Sequence, residues 1–402
     1  MGQRVVITEK DQKTVELLNT LAKLKEERGA IPKKVALVTQ GGGERGIFTA
    51  GVLDTFLEQQ FDPFELYIGT SAGALNLSAF LSRQQGYGYR FIREVIGDKR
   101  FFDLFRFIRH NQAMDLDWAI GLSQQAGEFA LDVSTARQVL KGKKAFASAT
   151  RVDSLHDHYF PLYQSDWQEV LKATSAIPIL YPEPVNMRGY SWIDGGVSAG
   201  IPAQEAYKQG ANIIVVVRTE PANQYDGDLE FIQQLQHQFE QHLPNYLKRL
   251  NLSDNLTRWQ RFHQELSQKM EQFQGEQKKQ NSEPIPIPQT PKFIEQALLN
   301  GERWLFGQDK IYRLAVLNNR PAMADFLDML WVHYVSYRET QQFLLNPPDD
   351  LTIIELAPSA ELQSRALLSQ SMWLDLDYQL GKDVGENFLH ILSSVLQPNT
   401  VI

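Results

Sequence analysis

Gly69-Thr70-Ser71-Ala72-Gly73 follows an apolar stretch, Leu66-Tyr67-Ile68, and opens a run of small and apolar residues, Ala74-Leu75-Asn76-Leu77-Ser78-Ala79-Phe80-Leu81. That order reads strand, sharp turn, helix. A serine at such a turn is pushed out above a sheet edge, because the flanking glycines tolerate the strained backbone. The helix that follows aims its N-terminal amides near the place where negative charge would develop. The pentapeptide therefore restricts the chain to an α/β architecture and points to a nucleophilic serine.

The surrounding pattern agrees. Val35-Ala36-Leu37-Val38 is a continuous apolar run, the mark of a strand covered on both faces. Gly41-Gly42-Gly43 follows, then a helix with Phe48, Val52, Leu53, Phe56 and Leu57 on one side. Further strands are expected at 145–149, 190–193, 213–217 and 352–356, with helices between them. Strands alternating with helices give a three-layer α/β/α sandwich on a mainly parallel central sheet. Four regions are expected: an N-terminal helical extension at 1–32, with its helix at 10–28 ended by Gly29 and Pro32; a catalytic core at 33–223; a polar helical insertion at 224–306; and a helical C-terminal region at 307–402 with one strand at 352–356. The insertion is rich in Gln, Lys and Glu, and it contains a linker-like stretch with Pro284, Pro286, Pro288 and Pro291. Residues 320–345 and 360–396 read as amphipathic helices, and no internal repeat is evident.

Charge and cysteine content narrow the partners. With 40 Lys and Arg against 48 Asp and Glu, the formal charge of −8 disfavours nucleic acid and anionic membrane surfaces. No cysteine is present, which removes disulfides and thiolate metal sites and leaves the redox compartment open. The segment MGQRVVITEKDQK lacks the apolar core of a signal peptide, and Val6 stands where a myristoylation signal at Gly2 wants Ser or Thr. No apolar run reaches the ~18 residues that a membrane span needs. A cytoplasmic location is expected, with peripheral contact at the inner face of a membrane left open.

Gly41-x-Gly43-x-x-Gly46 matches the dinucleotide fingerprint in letters, and it does follow a strand and open a helix. A dinucleotide site also wants an acidic residue at the end of the second strand. Here that strand ends in the Ser71 turn, while Asp62 and Glu65 precede it. In a parallel β-α-β unit the ends of adjacent strands lie side by side, so the glycine loop and Ser71 are expected at one sheet edge. A loop without side chains can turn amide N–H groups toward an oxyanion, and one such donor is worth about 100- to 1000-fold in rate. Arg45 adds positive charge nearby.

A second match to the serine pattern, Gly196-Val197-Ser198-Ala199-Gly200, does not directly follow a strand, and Pro202 suits a loop entering a helix. Asp194 is more informative. It ends the strand Ser191-Trp192-Ile193, ahead of Gly195 and Gly196, and a carboxylate there can accept a serine proton if burial raises its pKa. Alone, Asp-Gly would read as a turn. His333 and His390 are rival bases in the Ser, Asp, His order of α/β-hydrolases, although both sit in helix-like apolar surroundings. His156-x-His158 lies in an expected polar loop without an obvious third metal ligand. His237 and His242 are five residues apart, so on a helix they diverge by about 140° and cannot easily share a metal.

The ordered set Gly41–Gly46, Gly69–Gly73 and Asp194-Gly195-Gly196, with Ala173-Thr174-Ser175-Ala176-Ile177-Pro178 ahead of the aspartate, resembles the bacterial branch of the patatin-like phospholipase family. The resemblance spans about residues 33–220 and reaches less far into the C-terminus, at Tyr378-x-x-Gly381. It implies a Ser-Asp dyad instead of a triad: Ser71 as nucleophile and Asp194 as general base. The oxyanion would rest in the loop of Gly41, Gly42 and Gly43, on the amides of Gly42 and Gly43 beside Arg45. Gly46, Gly69, Ala72, Gly73, Gly195 and Gly196 complete the motifs, and the family allows Gly196 in its place. No metal or cofactor is implied, and the expected partner is a lipid or lysolipid ester. Residues 224–306 depart from the family pattern in length and polarity.

Phe101-Phe102-Asp103-Leu104-Phe105-Arg106-Phe107-Ile108-Arg109 is dense in aromatics with interleaved arginines. It reads first as core with arginines reaching out, and second as an acyl groove or interfacial patch. The expected activity is a serine lipid acyl hydrolase. Two alternatives are an acyltransferase using the same acyl-enzyme and a non-catalytic lipid-sensing or partner-binding protein that docks through 224–306.

Overall fold

The apolar runs without alternation become the interior of one sheet. In the computed structural model of the chain, which describes residues 2–10, 34–103, 112–178, 180–181, 183–222 and 323–396, the strands are β1 (Gln3–Ile7), β2 (Val35–Thr39), β3 (Leu66–Thr70), β4 (Lys144–Arg151), β5 (Asp157–Pro161), β6 (Val185–Met187), β7 (Tyr190–Asp194), β8 (Ile213–Val217) and β9 (Thr352–Leu356). Among the described residues they form a nine-stranded sheet in the order β1-β9-β8-β2-β3-β4-β7-β6, with β5 paired to β4. All pairings from β1 to β4 along this order are parallel, and β5, β6 and β7 add antiparallel strands at one side. Residues of β3, β8 and β9 are buried throughout, as expected of strands sandwiched between helices.

Helices cover both faces: α1 (Gly46–Glu58), α2 (Ala72–Leu81), α3 (Leu116–Leu122), α4 (Val133–Val139), α5 (Trp167–Ser175), α6 (Ala203–Lys208), α7 (Met323–Leu345) and α8 (Ser371–Leu396). On one face Val38, Ile68, Val216 and Ile353 pack against Ala203 and Ala206 of α6 and Leu344 of α7. On the other, Phe56 of α1, Phe80 of α2 and Phe388 of α8 join Phe64 and Tyr67 in a chain of ring contacts. The three-layer α/β/α sandwich on a mainly parallel sheet is therefore as the sequence indicates.

The chain divides into two units. One comprises Met1–Ala222, Gly301–Arg320 and Phe326–Ile402 and holds the sheet; the other, Asn223–Asn300 with Pro321–Asp325, falls almost wholly outside the described residues. Residues 11–28 of the helix expected at 10–28, the insertion expected at 224–306 and residues 104–109 of the aromatic stretch also lie outside them.

Three local expectations are corrected. Gln3–Ile7, assigned to a helical extension, is a strand, because the free edge of β9 offers it a parallel ladder with Val5 opposite Ile354. His158 lies in β5, not in a loop, and its ring packs on Phe160 and Trp192. The helix expected from residue 360 begins only at Ser371. Ahead of it, the amides of Gln363 and Ser364 donate to the Asp377 carboxylate and those of Leu368 and Ser369 to Glu44. Amides bound to carboxylates in this way are withdrawn from a helical ladder.

Candidate active site

Ser71 stands between β3 and α2 with φ 51° and ψ −125°, a conformation that side chains with a Cβ rarely adopt. Its surroundings hold it there. The Ser71 N–H donates to Thr174 Oγ1 at 2.8 Å, and the Ser71 carbonyl accepts the first helical bond of α2 from Leu75 at 3.1 Å. A Cβ on Gly73 would lie 2.6 Å from the carbonyl oxygens of Thr39 and Gln40, so the turn can press against β2 only with glycine there.

Asp194 closes β7 opposite Ala149 of β4. Its N–H donates to the Ala176 carbonyl at 2.9 Å, and its own carbonyl accepts the Thr150 hydroxyl at 2.8 Å. The carboxylate faces the serine: Ser71 Oγ donates to Oδ2 at 2.9 Å, while Oδ1 accepts the Gly196 N–H at 2.6 Å. Both side chains are buried. Burial pushes the Asp194 carboxyl up to about 7, although the bonds from Gly196 and Ser71 pull the other way. The block 173–178 thus braces both residues, through the Thr174 hydroxyl and the Ala176 carbonyl. The sequence marked this block, but the hydroxyl's partner was not legible in it.

The glycine loop meets the turn, as a Cβ on Gly41 would lie 3.3 Å from Ser71 Cβ. Gly42 takes φ 144° and Gly43 φ 59°, positions open to glycine and strained for other residues. The Gly41 N–H donates to the Gly200 carbonyl at 3.2 Å. The amides of Gly42 and Gly43 have no protein acceptor among the described residues. Arg45 lies along its own loop, with Nε donating to the Gly42 carbonyl at 3.5 Å. Gly46 begins α1, and its carbonyl accepts Asn76 Nδ2 of α2 at 2.8 Å, which ties the starts of the two helices together.

The rival groups have other partners. Ser198 has ordinary backbone angles and bonds the Thr150 hydroxyl at 2.8 Å. His333 is buried on α7, and its Nδ1 donates to the Gly196 carbonyl at 2.6 Å. Burial lowers its pKa, so the ring is neutral with the proton on Nδ1. His390 is exposed on α8, and His156 and His158 are exposed too. His237 and His242 lie outside the described residues. Among the described residues no three His, Asp or Glu converge as metal ligands. Phe101 and Phe102 are buried, in keeping with the core reading of their stretch.

A family model described as patatin-like phospholipase matches residues 37–207, and another, described as a domain of unknown function (DUF6363), matches residues 323–397. The chain is 33% identical over 397 residues to the uncharacterized protein YjjU of Escherichia coli (strain K12), across 98% of this chain and 85% of that protein. Among solved structures, VipD from Legionella pneumophila aligns over 55% of this chain and 56% of its own at 13% identity and a TM-score of 0.31, a value from which no relation of fold or chemistry follows.

Proposed function

This chain belongs to the patatin-like phospholipase family, and from that membership we propose that it is a serine lipid acyl hydrolase with Ser71 as nucleophile and Asp194 as general base. The observation that carries this reading is the 2.9 Å bond from Ser71 Oγ to a buried Asp194 carboxylate, made at a strained strand-helix turn. Asp194 takes the hydroxyl proton as Ser71 Oγ attacks the ester carbonyl. Negative charge develops on the carbonyl oxygen next to the amides of Gly42 and Gly43. Collapse of the tetrahedral adduct breaks the ester bond. The leaving alcohol takes the proton from Asp194, and the acyl group stays on Ser71. Water then attacks the acyl-serine and gives its proton to Asp194. The fatty acid departs as that proton returns to Ser71 Oγ.

A base with a pKa near 7 suits this traffic, since a large share of it is ionised at neutral pH and it is still basic enough to take a proton. The substrate in this reading is a lipid or lysolipid ester. Labelling the full-length protein with a fluorophosphonate, followed by peptide mapping, tests the nucleophile directly. Label on Ser71, lost in Ser71→Ala, together with turnover of a short acyl ester lost in both Ser71→Ala and Asp194→Asn, is the expected result. Folded protein that takes no label would sink the hydrolase reading in favour of a non-catalytic role. Product analysis with and without added lysolipid separates hydrolysis from acyl transfer.

A further inference from the structure

The C-terminal region grips the catalytic loops from behind. The Glu44 N–H, one residue past Gly43, donates to the Ala366 carbonyl at 2.8 Å. In return the Glu44 carboxylate accepts the amides of Leu368 at 3.1 Å and Ser369 at 2.6 Å. Glu44 is only 1% exposed, unusual for a glutamate unless its charge is met by donors. Contact at Gly43 is equally tight: a Cβ there would fall 2.1 Å from the Ala366 carbonyl oxygen. Leu368 itself takes φ 58°, a strained setting for leucine that these bonds hold in place. Further along the chain Asp377 of α8 ties down Gln363 and Ser364, so residues 363–369 form a strap fixed at both ends. From α7, His333 reaches the Gly196 carbonyl in the loop of the aspartate.

We propose that this strap, through Glu44, sets the conformation in which the Gly42 and Gly43 amides face the developing oxyanion. Glu44 is then a positioning residue, and the region matched by the model of a domain of unknown function is part of the catalytic apparatus. The proposal rests on the hydrolase reading above for its kinetic consequence, but not for its structural one. A buried carboxylate held by two backbone donors is a stiff fastening, because charge-assisted bonds are strong and leaving them unmade is costly. Oxyanion donors act through placement, and a displacement of about 1 Å can cost about 100-fold in rate.

The test compares full-length wild type, Glu44→Ala and Glu44→Gln in hydrolysis of a short p-nitrophenyl ester, with thermal melting and amide hydrogen exchange of the peptide spanning residues 41–46. Glu44→Ala is expected to lower kcat about 10- to 100-fold with KM within about twofold, and to speed exchange in that peptide about tenfold. Glu44→Gln keeps one acceptor oxygen and should recover part of both. A wild-type kcat in Glu44→Ala, a loss no larger than its unfolded fraction, or a rise in KM alone would overturn the proposal. Should Glu44→Ala not fold, Glu44→Gln decides: lowered kcat at constant KM with faster exchange supports the strap, and wild-type behaviour overturns it. A wild type without turnover or Ser71 label removes the hydrolase reading, while the exchange comparison still judges the strap.

Discussion

Ser71 and Asp194 are 123 positions apart, yet the sequence singled out each because its motif is local: a turn that needs glycines, and an acid ending a strand. Their supports were not legible. Thr174, Glu44 and His333 owe their roles to partners far along the chain, and nothing in the flanking residues names those partners. Burial of Asp194 has two consequences that measurements can separate. As a base it must be ionised, so kcat/KM should rise with pH, tenfold per unit, up to about 7 and level off above it. A profile flat from pH 5 to 9 would contradict this assignment. In stability the sign reverses. The folded pKa lies above the ordinary 3.8, so the favourable contribution is full below 3.8 and is lost as pH climbs through about 7. Asp194→Asn should accordingly be inactive and yet gain stability relative to wild type between pH 4 and pH 8. At ~1.4 kcal/mol for each tenfold change the gain has a ceiling of ~4 kcal/mol. Urea titrations at the two pH values measure it.

Helix α1, which starts at the glycine loop, is held along its length by α8. A Cβ on Gly51 would lie 2.2 Å from the Tyr378 carbonyl oxygen, and one on Gly381 would lie 2.1 Å from that of Phe48. The two backbones touch because glycine occupies both positions. Tyr378 adds a 2.8 Å bond to Asp54, and Lys382 pairs with Glu58 at 2.9 Å. Gly381→Val should cost at least ~3 kcal/mol in denaturant unfolding, or prevent folding, since a branched side chain has no space between the helices. Next to the loop, the end of β8 carries Arg218, buried against Glu355 at 2.6 Å and Gln341 at 3.2 Å, with Glu220 beyond. Arg4 of β1 reaches the same Glu355 at 2.6 Å. Arg218→Leu leaves Glu355 buried with one cation fewer and should destabilise by ~3–5 kcal/mol, as thermal and urea unfolding will show. Strands β2 and β8 were readable because continuous apolar runs of four and five residues specify them. β5 and β6 were not, since they have fewer buried residues and exist only as additions to β4 and β7.

On the scale of the whole molecule, the sheet is not finished by the family match at 37–207. Strand β9, contributed after residue 350, lies between β1 and β8, and α8 covers the helix that follows the glycine loop. A chain ended at residue 322 would expose the edge of β8, whose residues are buried throughout. It is expected to aggregate or to lack a cooperative melting transition, and soluble two-state unfolding of such a truncation would contradict this account. Among the described residues no helix is long and apolar enough to cross a membrane. The sequence by itself determined the sheet class, the strand-turn-helix at Ser71, the glycine loop and the place of Asp194 at a strand end, because each depends on local backbone preference and on the period of apolar residues. Tertiary structure alone decided which glycine amide is already engaged, which residues brace Ser71 and Asp194, and that the C-terminal region bonds to Glu44 beside the glycine loop. Those features are pairings between distant segments. A carboxylate such as Glu44 carries no local sign of the amides it will meet, so only the folded chain can reveal them.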